Sequence, residues 1–181
     1  MDLGITLIVA IIVTICVLPF LLMSKSKKNR QKKILQVLSN MAIKHSGKIT
    51  QYEFCGDFVI GIDENTNAVF FFKKTNNIET KKYVNLAKTQ KCQVINTSKI
   101  IKTKNSSYKE IDKLGLSLLP SSKYKPVVTL EFYNYDDSLP LRGELQLLEK
   151  WFKLINSRLK PENSEGTREI VKEKVYTAQV M

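Results

Sequence analysis

The stretch Phe58–Lys74 reads FVIGIDENTNAVFFFKK, and it decides the class of fold. Large apolar residues recur at every second position from Phe58 to Ile62, which is the period of a strand with one buried face. The run Asp63–Asn67 is polar throughout, as turns are. Ala68–Lys74, which is rich in Val and Phe, indicates a second strand. The stretch therefore predicts a β-hairpin.

Similar segments flank this hairpin on both sides. They are Ile49–Phe54, Lys82–Leu86, a segment marked by Cys92, Val94 and Ile100-Ile101, then Ile111–Leu119 and Pro126–Tyr133. Asn, Ser, Thr and Lys fill the connections between them, and the short connection Cys55-Gly56-Asp57 predicts a tight turn. The pattern predicts an antiparallel β domain of about seven strands.

After these strands the period becomes helical. One apolar stripe steps by three and four residues through Leu141, Leu145, Leu148, Phe152, Ile155 and Leu159. Asp137 or Ser138 is suited to cap the start of this helix, and Pro140 fits its first turn. So broad an apolar face predicts that the helix packs against the sheets.

Seven strands followed by one amphipathic helix resemble a pleckstrin-homology-like domain, over residues 48–160. Trp151, in the middle of the last helix, is similar to the Trp of many family members. The chain thereby resembles the poorly characterised bacterial single-pass membrane proteins that carry such a domain in the cytoplasm. The resemblance implies a barrel-like sandwich that binds proteins, peptides or lipids and is seldom an enzyme.

Phosphoinositide-binding members of that family use basic residues in the first hairpin loop. Here that loop, Glu53–Asp57, is short and acidic, and its side chains offer no charged donor for a phosphate. The next loop region is basic and is the alternative candidate, although these lysines also suit a solvated loop edge; they are Lys73, Lys74, Lys81 and Lys82.

The N-terminal run Leu3–Met23 contains no charged side chain. About twenty apolar residues are the length that an α-helix needs to cross a bilayer. The chain starts with an acid and has no Ala-x-Ala-like site after the run, which favours an uncleaved anchor over a signal peptide. The basic residues that follow place the N-terminus outside and the C-terminal domain in the cytoplasm. The Lys-, Asn- and Ile-rich composition suits an AT-rich bacterial genome, and we therefore expect the membrane to be a bacterial inner membrane.

Residues 24–47 form a basic juxtamembrane segment. Six basic residues there are candidates for contact with anionic lipid headgroups: Lys25, Lys27, Lys28, Arg30, Lys32 and Lys33. Arg30–Lys44 predicts an amphipathic helix, which either lies on the membrane or packs on the following domain. The predicted organisation is thus an anchor at 1–23, this segment, the β domain at 48–160, and a disordered tail at 161–181.

The formal net charge of +12 raises the question of nucleic-acid binding. Eight basic residues and no acidic residue lie between Ser24 and Thr50, so two thirds of the net charge is next to the predicted anchor. There it sets topology and meets lipid. Because no basic stripe interleaved with aromatic residues follows, the sequence predicts no nucleic-acid partner.

The sequence contains no pattern of residues that indicates catalysis, a cofactor or a metal. Cys16, Cys55 and Cys92 lack metal-ligand spacing, and the single His45 nearly excludes a histidine-based triad. We therefore expect a membrane-anchored cytoplasmic module that binds or scaffolds an unidentified protein. The alternative is a small structural subunit of a membrane complex, in which the anchor helix makes the main contact.

Overall fold

A computed structural model of the 181-residue chain describes residues 12–14, 28–102, 107–122, 124–137 and 140–159. The chain divides into two units, Met1–Val37 and Leu38–Met181. Residues 28–44 are helical and are named α1, and residues 12–14 are helical too. Among the described residues, no helix is long and apolar enough to cross a membrane.

Several sequence predictions fall on other parts of the chain. Most of the predicted anchor, the basic residues Lys25 and Lys27, and the predicted tail at 161–181 lie outside the described residues. The second unit begins at Leu38, inside the predicted juxtamembrane segment, so the last residues of α1 belong with the β domain.

Seven strands form two antiparallel sheets. The first sheet contains β1 (Gln51–Cys55), β2 (Phe58–Asp63), β3 (Ala68–Thr75) and β4 (Ile78–Asn85) in that order. The second contains β5 (Thr89–Lys102), β6 (Ser107–Pro120) and β7 (Val128–Asn134). Short 3₁₀ turns follow β4 at Leu86–Lys88 and β7 at Tyr135–Asp137, and helix α2 (Glu144–Arg158) comes last.

Turn residues set the register of the first sheet. Asn76 and Asn77, between β3 and β4, both have positive φ, at 48° and 66°. Such a pair belongs to the type I′ turn, whose twist matches that of the strands it joins. Gly56 supplies a φ of 54° between β1 and β2. These turns pair Thr75 with Ile78 and Cys55 with Phe58.

One hydrophobic core joins the two sheets and α2. Phe58 and Phe71 from the first sheet contact Phe132 of β7, with ring centroids 4.8 and 6.0 Å apart. From α2, four side chains enter the same core: Leu148, Trp151, Ile155 and Leu159. Alternation along the strands places Phe58, Phe71 and Phe132 on the inner faces of their sheets.

The outer face of the first sheet is buried as well. Val59, Phe70 and Phe72 are at most 2% exposed although they point away from the core that the sheets share. Leu38 and Ala42 of α1 are also fully buried. A Cβ atom at Gly61 would lie only 2.9 Å from Leu38 Cδ2, so this glycine lets the end of α1 approach β2 closely. The end of α1 therefore packs on the domain.

Helix α2 begins later than predicted. Its N-cap is Gly143, with a φ of 114° and no side-chain capping bond. Asp137 is unavailable as a cap because its carboxylate pairs with Lys73 Nζ at 2.8 Å. An ion pair in the folded chain thus occupies one of the two residues that local sequence rules assign to the helix start, and the other, Ser138, lies outside the described residues.

The structure confirms the α+β class, the seven antiparallel strands and the C-terminal helix. The strand ladders that the structure describes do not close into a barrel. The predicted barrel-like arrangement is therefore corrected to two separate sheets. A closed barrel would need both edge strands of the first sheet, β1 and β4, to pair with the edge strands β5 and β7 of the second, and within the described residues no such ladder forms.

Candidate binding cleft

A cleft of about 290 Å³ opens between the edge strands β4 and β7. Within the part of the chain that the structure describes, β4 pairs with β3 alone and β7 pairs with β6 alone. Lys82 Nζ donates a hydrogen bond to the Thr129 carbonyl and so joins the two strands at one end. The cleft extends from there towards the end of β4 and the start of β7.

Its walls are mostly apolar. Val84 and Leu118 are buried at 7% and 1% exposure, and Val128 is half-buried. The full lining is Tyr83, Val84, Asn85, Lys88, Thr89, Leu118, Pro120, Lys125, Pro126 and Val128. The two lysines are the only ionisable side chains in this set besides the Tyr83 phenol, and no carboxylate is among them.

Local hydrogen bonds fix the rim of the cleft, which is formed by the turn Leu86–Lys88 and the chain segment between β6 and β7. The Asn85 side chain accepts from the Ala87 N–H at 2.9 Å and so caps the turn Leu86–Lys88. The Ser121 N–H donates to the Lys88 carbonyl at 2.9 Å and ties this turn to the segment after β6. The chain between β6 and β7 therefore passes close to the turn, with Lys125 beside it.

Both rim lysines, Lys88 and Lys125, are exposed. Among the described residues, neither forms an ion pair, in contrast to Lys73, Lys74 and Lys81. Two unpaired ammonium groups beside apolar walls favour a ligand that carries both negative charge and apolar groups.

Tyr83 connects the cleft to the end of α1. Its ring stacks on His45, with centroids 3.6 Å apart and an interplanar angle of 4°. The single histidine therefore has an aromatic partner on the outer side of the sheet. His45 is nevertheless exposed to solvent.

The predicted basic loop is placed on strands instead of in a loop. Lys73 lies in β3 and is 6% exposed. Its ammonium group contacts Glu131 Oε1 at 3.1 Å and Asp137 Oδ2 at 2.8 Å. Burial lowers its pKa, but these carboxylates together with Asp57 outweigh burial and raise the pKa above its ordinary value.

The other three lysines of that set also have partners. Lys74 and Lys81 both contact Glu79, each at 3.0 Å, and Lys82 bonds to Thr129 as described above. Of the predicted lipid-contact residues, four lie on α1 and are exposed: Lys28, Arg30, Lys32 and Lys33.

The polar turn after β2 is filled by its own chain. Asp63 accepts hydrogen bonds from the N–H groups of Lys48, Asn65 and Thr66 and from the Thr66 hydroxyl. Burial raises the pKa of Asp63, yet these bonds outweigh it and hold the pKa below its usual value. Within the described residues, no group of three or more His, Cys, Asp or Glu side chains is arranged to hold a metal ion.

Lys88, Lys125 and Tyr83 were missed by sequence analysis. Each sits in a polar connection or at a strand end, where lysines and tyrosines are ordinary. They come together only because β4 and β7 approach each other across the two sheets. No spacing along the chain signals that approach.

Searches of protein-family models, curated proteins and solved structures found no match to this chain.

Proposed function

We propose that this chain is a membrane-anchored binding module whose ligand site is the cleft between β4 and β7. The domain that carries the site is proposed to be pleckstrin-homology-like, with the predicted anchor at residues 3–23 holding it at the cytoplasmic face. The observation that carries the proposal is the cleft itself, with apolar walls and two unpaired lysines.

The order of elements supports the fold proposal. Seven antiparallel strands followed by a C-terminal helix that packs into the shared core have the order of elements on which the resemblance rests. Trp151 is fully buried in that helix, where the resemblance places it.

The size and chemistry of the cleft support binding. Ligand pockets have volumes of about 300–1,000 Å³, mostly apolar walls and a few placed polar groups. At about 290 Å³ this cleft suits one or two side chains of a larger ligand better than a whole small molecule.

The two described thiols and the buried Lys73 ammonium group support the proposal of a non-catalytic module. Burial raises the pKa of the Cys92 thiol to about 12. Burial and the neighbouring Glu144 do the same for the Cys55 thiol. A protonated thiol is a poor nucleophile. Lys73, the most buried ammonium group here, is held by two carboxylates.

Site-specific photo-crosslinking in the full chain tests the proposal. A photoreactive residue at Val127, which is 53% exposed beside the cleft, should give a discrete protein adduct in membranes. The matched control is Ile78, which is 71% exposed at the β3–β4 turn and should give none.

A third position separates the proposal from the alternative function. A photoreactive residue at Ile12, inside the predicted anchor, would report the contact of a structural subunit. Adducts at Ile12 without any at Val127 would overturn the binding-module proposal in favour of that alternative. Equal adducts at Val127 and Ile78 would also overturn it, because they would show non-specific contact.

A further inference from the structure

We infer that the cleft is occupied by a segment of this same chain, residues 161–171, which an external ligand must displace. The inference rests on the proposed binding role of the cleft and names a regulator of that same site. The segment itself lies outside the described residues. Three observations carry the inference: where α2 ends, the order of charged and apolar residues after it, and the small volume of the cleft.

The end of α2 lies beside the rim of the cleft. The Asn67 side-chain amide donates to the Arg158 carbonyl at 3.2 Å. The Asn67 carbonyl accepts from the Leu86 N–H at 2.9 Å. Leu86 begins the turn that ends at Lys88, and Lys88 lines the cleft. The chain therefore leaves α2 two hydrogen bonds away from the rim.

The residues that come next are acidic. Glu162 and Glu165 are the only charged residues in the stretch 161–167, which therefore has a charge of −2. This stretch starts beside a rim on which Lys88 and Lys125 are exposed and, among the described residues, form no ion pair. The two carboxylates are therefore suited to form charge-assisted contacts with these two ammonium groups.

The first apolar pair of the segment follows this acidic stretch. Ile170 and Val171 come directly after Glu169, so a carboxylate and two branched aliphatic side chains stand together. The walls of the cleft are mostly apolar, and its volume of about 290 Å³ suits one or two side chains. The segment thus offers the negative charge and the apolar groups that the lining favours.

The segment is long enough to reach the cleft from the end of α2. Ten residues, 160–169, separate Leu159 from Ile170. Ten residues span up to about 33 Å when extended and about 16–19 Å on average in a random coil. Attachment to the same chain gives a local concentration on the order of millimolar, so that even a weak contact can fill the cleft.

A partner protein or an anionic lipid could use the same lysines and apolar walls. The C-terminal segment differs from both because α2 brings it to the rim in every molecule. It therefore competes with any such ligand for the cleft. We expect the proposed partner to bind more tightly when the segment can no longer occupy this site.

Photo-crosslinking within the purified full chain in neutral detergent micelles tests the inference. A photoreactive residue at Val127, between the lining residues Pro126 and Val128, should form an internal adduct with the tryptic peptide 169–172, identified by mass spectrometry. The same photoreactive residue at the exposed Ile78 should form none. Absence of the adduct at Val127, or an equal adduct at Ile78, would overturn the inference.

Charge-reversal variants locate the contact. Lys88→Glu with Lys125→Glu should reduce the internal adduct at least about fivefold, and further addition of Glu162→Lys with Glu165→Lys should restore it. The exposed Lys153→Glu on α2 should leave the adduct within about twofold. Loss without restoration would overturn the charge pairing on which the inference depends.

A variant of the segment separates this inference from the proposed function. Ile170→Asp with Val171→Asp keeps the full chain and removes the apolar pair, so in membranes it should give several-fold more partner adduct at Val127. Equal partner adducts from the variant and the unmodified chain would overturn this inference alone. An internal adduct in the unmodified chain, without any partner adduct from the variant, would instead overturn the proposed function.

Discussion

At the scale of single residues, the kind of ion pair that a lysine forms in the β domain depends on whether its side chain is buried. Lys73 and Lys74 are neighbours on β3, yet strand alternation turns one inward and the other outward. The Lys73 side chain is 7% exposed and the Lys74 side chain is 43% exposed. The same residue type thus forms a buried cluster at one position and a solvated surface pair at the next.

This contrast gives a matched pair of variants. Lys73→Met should destabilise the chain by about 3 kcal/mol, because it leaves Glu131 and Asp137 without their cation in a partly desolvated site. Lys74→Met removes a surface pair with Glu79 and should cost less than about 1 kcal/mol. Urea unfolding followed by the fluorescence of the single tryptophan, Trp151, measures both. Equal losses would mean that the Lys73 cluster contributes nothing beyond a surface pair.

Asp63 makes a second prediction at this scale. Its pKa in the folded chain lies below its unfolded value, so the folded state favours the charged form. The stabilisation is therefore fully present above the unfolded pKa, about 4, and is lost as the pH falls through the folded-state pKa. The urea concentration at the unfolding midpoint should therefore fall as the pH is lowered below about 4. In Asp63→Asn this pH dependence should be weaker. The exposed Glu149→Gln is the control and should leave the drop unchanged.

At the scale of elements, α2 closes the core through one aromatic side chain. Trp151 is fully buried, and its indole N–H donates to Glu53 Oε2 of β1 at 2.9 Å. Lys150 pairs with the same carboxylate from the surface. The helix is therefore joined to the first sheet by a polar contact as well as by apolar packing.

Trp151→Ala should destabilise the chain by roughly 3–5 kcal/mol, because it leaves a large cavity between the helix and both sheets. It also leaves Glu53 without its indole donor. The exposed Lys153→Ala, on the same helix, should change stability by less than about 0.5 kcal/mol. Thermal unfolding followed by circular dichroism measures both variants. An unchanged midpoint for Trp151→Ala would contradict the role of α2 in the core.

At the scale of the whole molecule, the proposal joins an anchor, a basic segment and a binding domain. The basic residues from Lys25 to Lys33 follow the predicted span directly. Lys28, Arg30, Lys32 and Lys33 are exposed on α1, as contact with lipid headgroups requires. Because each basic residue near an anionic surface contributes about 1 kcal/mol, we propose that the segment would limit how far an anchored domain moves from the membrane.

Topology and lipid contact are tested separately. A reporter fused after Met181 should be active only when the reporter works in the cytoplasm, and an active periplasmic phosphatase fusion would contradict the predicted orientation.

A peptide spanning Ser24–Gly47 should bind anionic vesicles, lose binding as salt rises and gain helicity on binding. Equal weak binding to neutral and anionic vesicles would leave the basic residues with a topological role only.

Much of the fold followed from the order of residues alone. Period-two alternation located the strands because a half-buried strand needs apolar residues on one face, and the stripe from Leu141 to Leu159 located α2 for the corresponding helical reason. Polar turns such as Asp63–Asn67 separated the strands. Because these signals are local, no long-range contact was needed to detect them.

Only the tertiary structure decided the rest. It showed that Asp137 pairs with Lys73 instead of capping α2, and that the end of α1, at Leu38, packs on β2 beside Gly61. It also created the cleft, because Lys88 and Lys125 meet only where β4 and β7 approach without pairing. Sequence periodicity assigns a residue to the face of an element, but the partner across that face is set by how the two sheets pack.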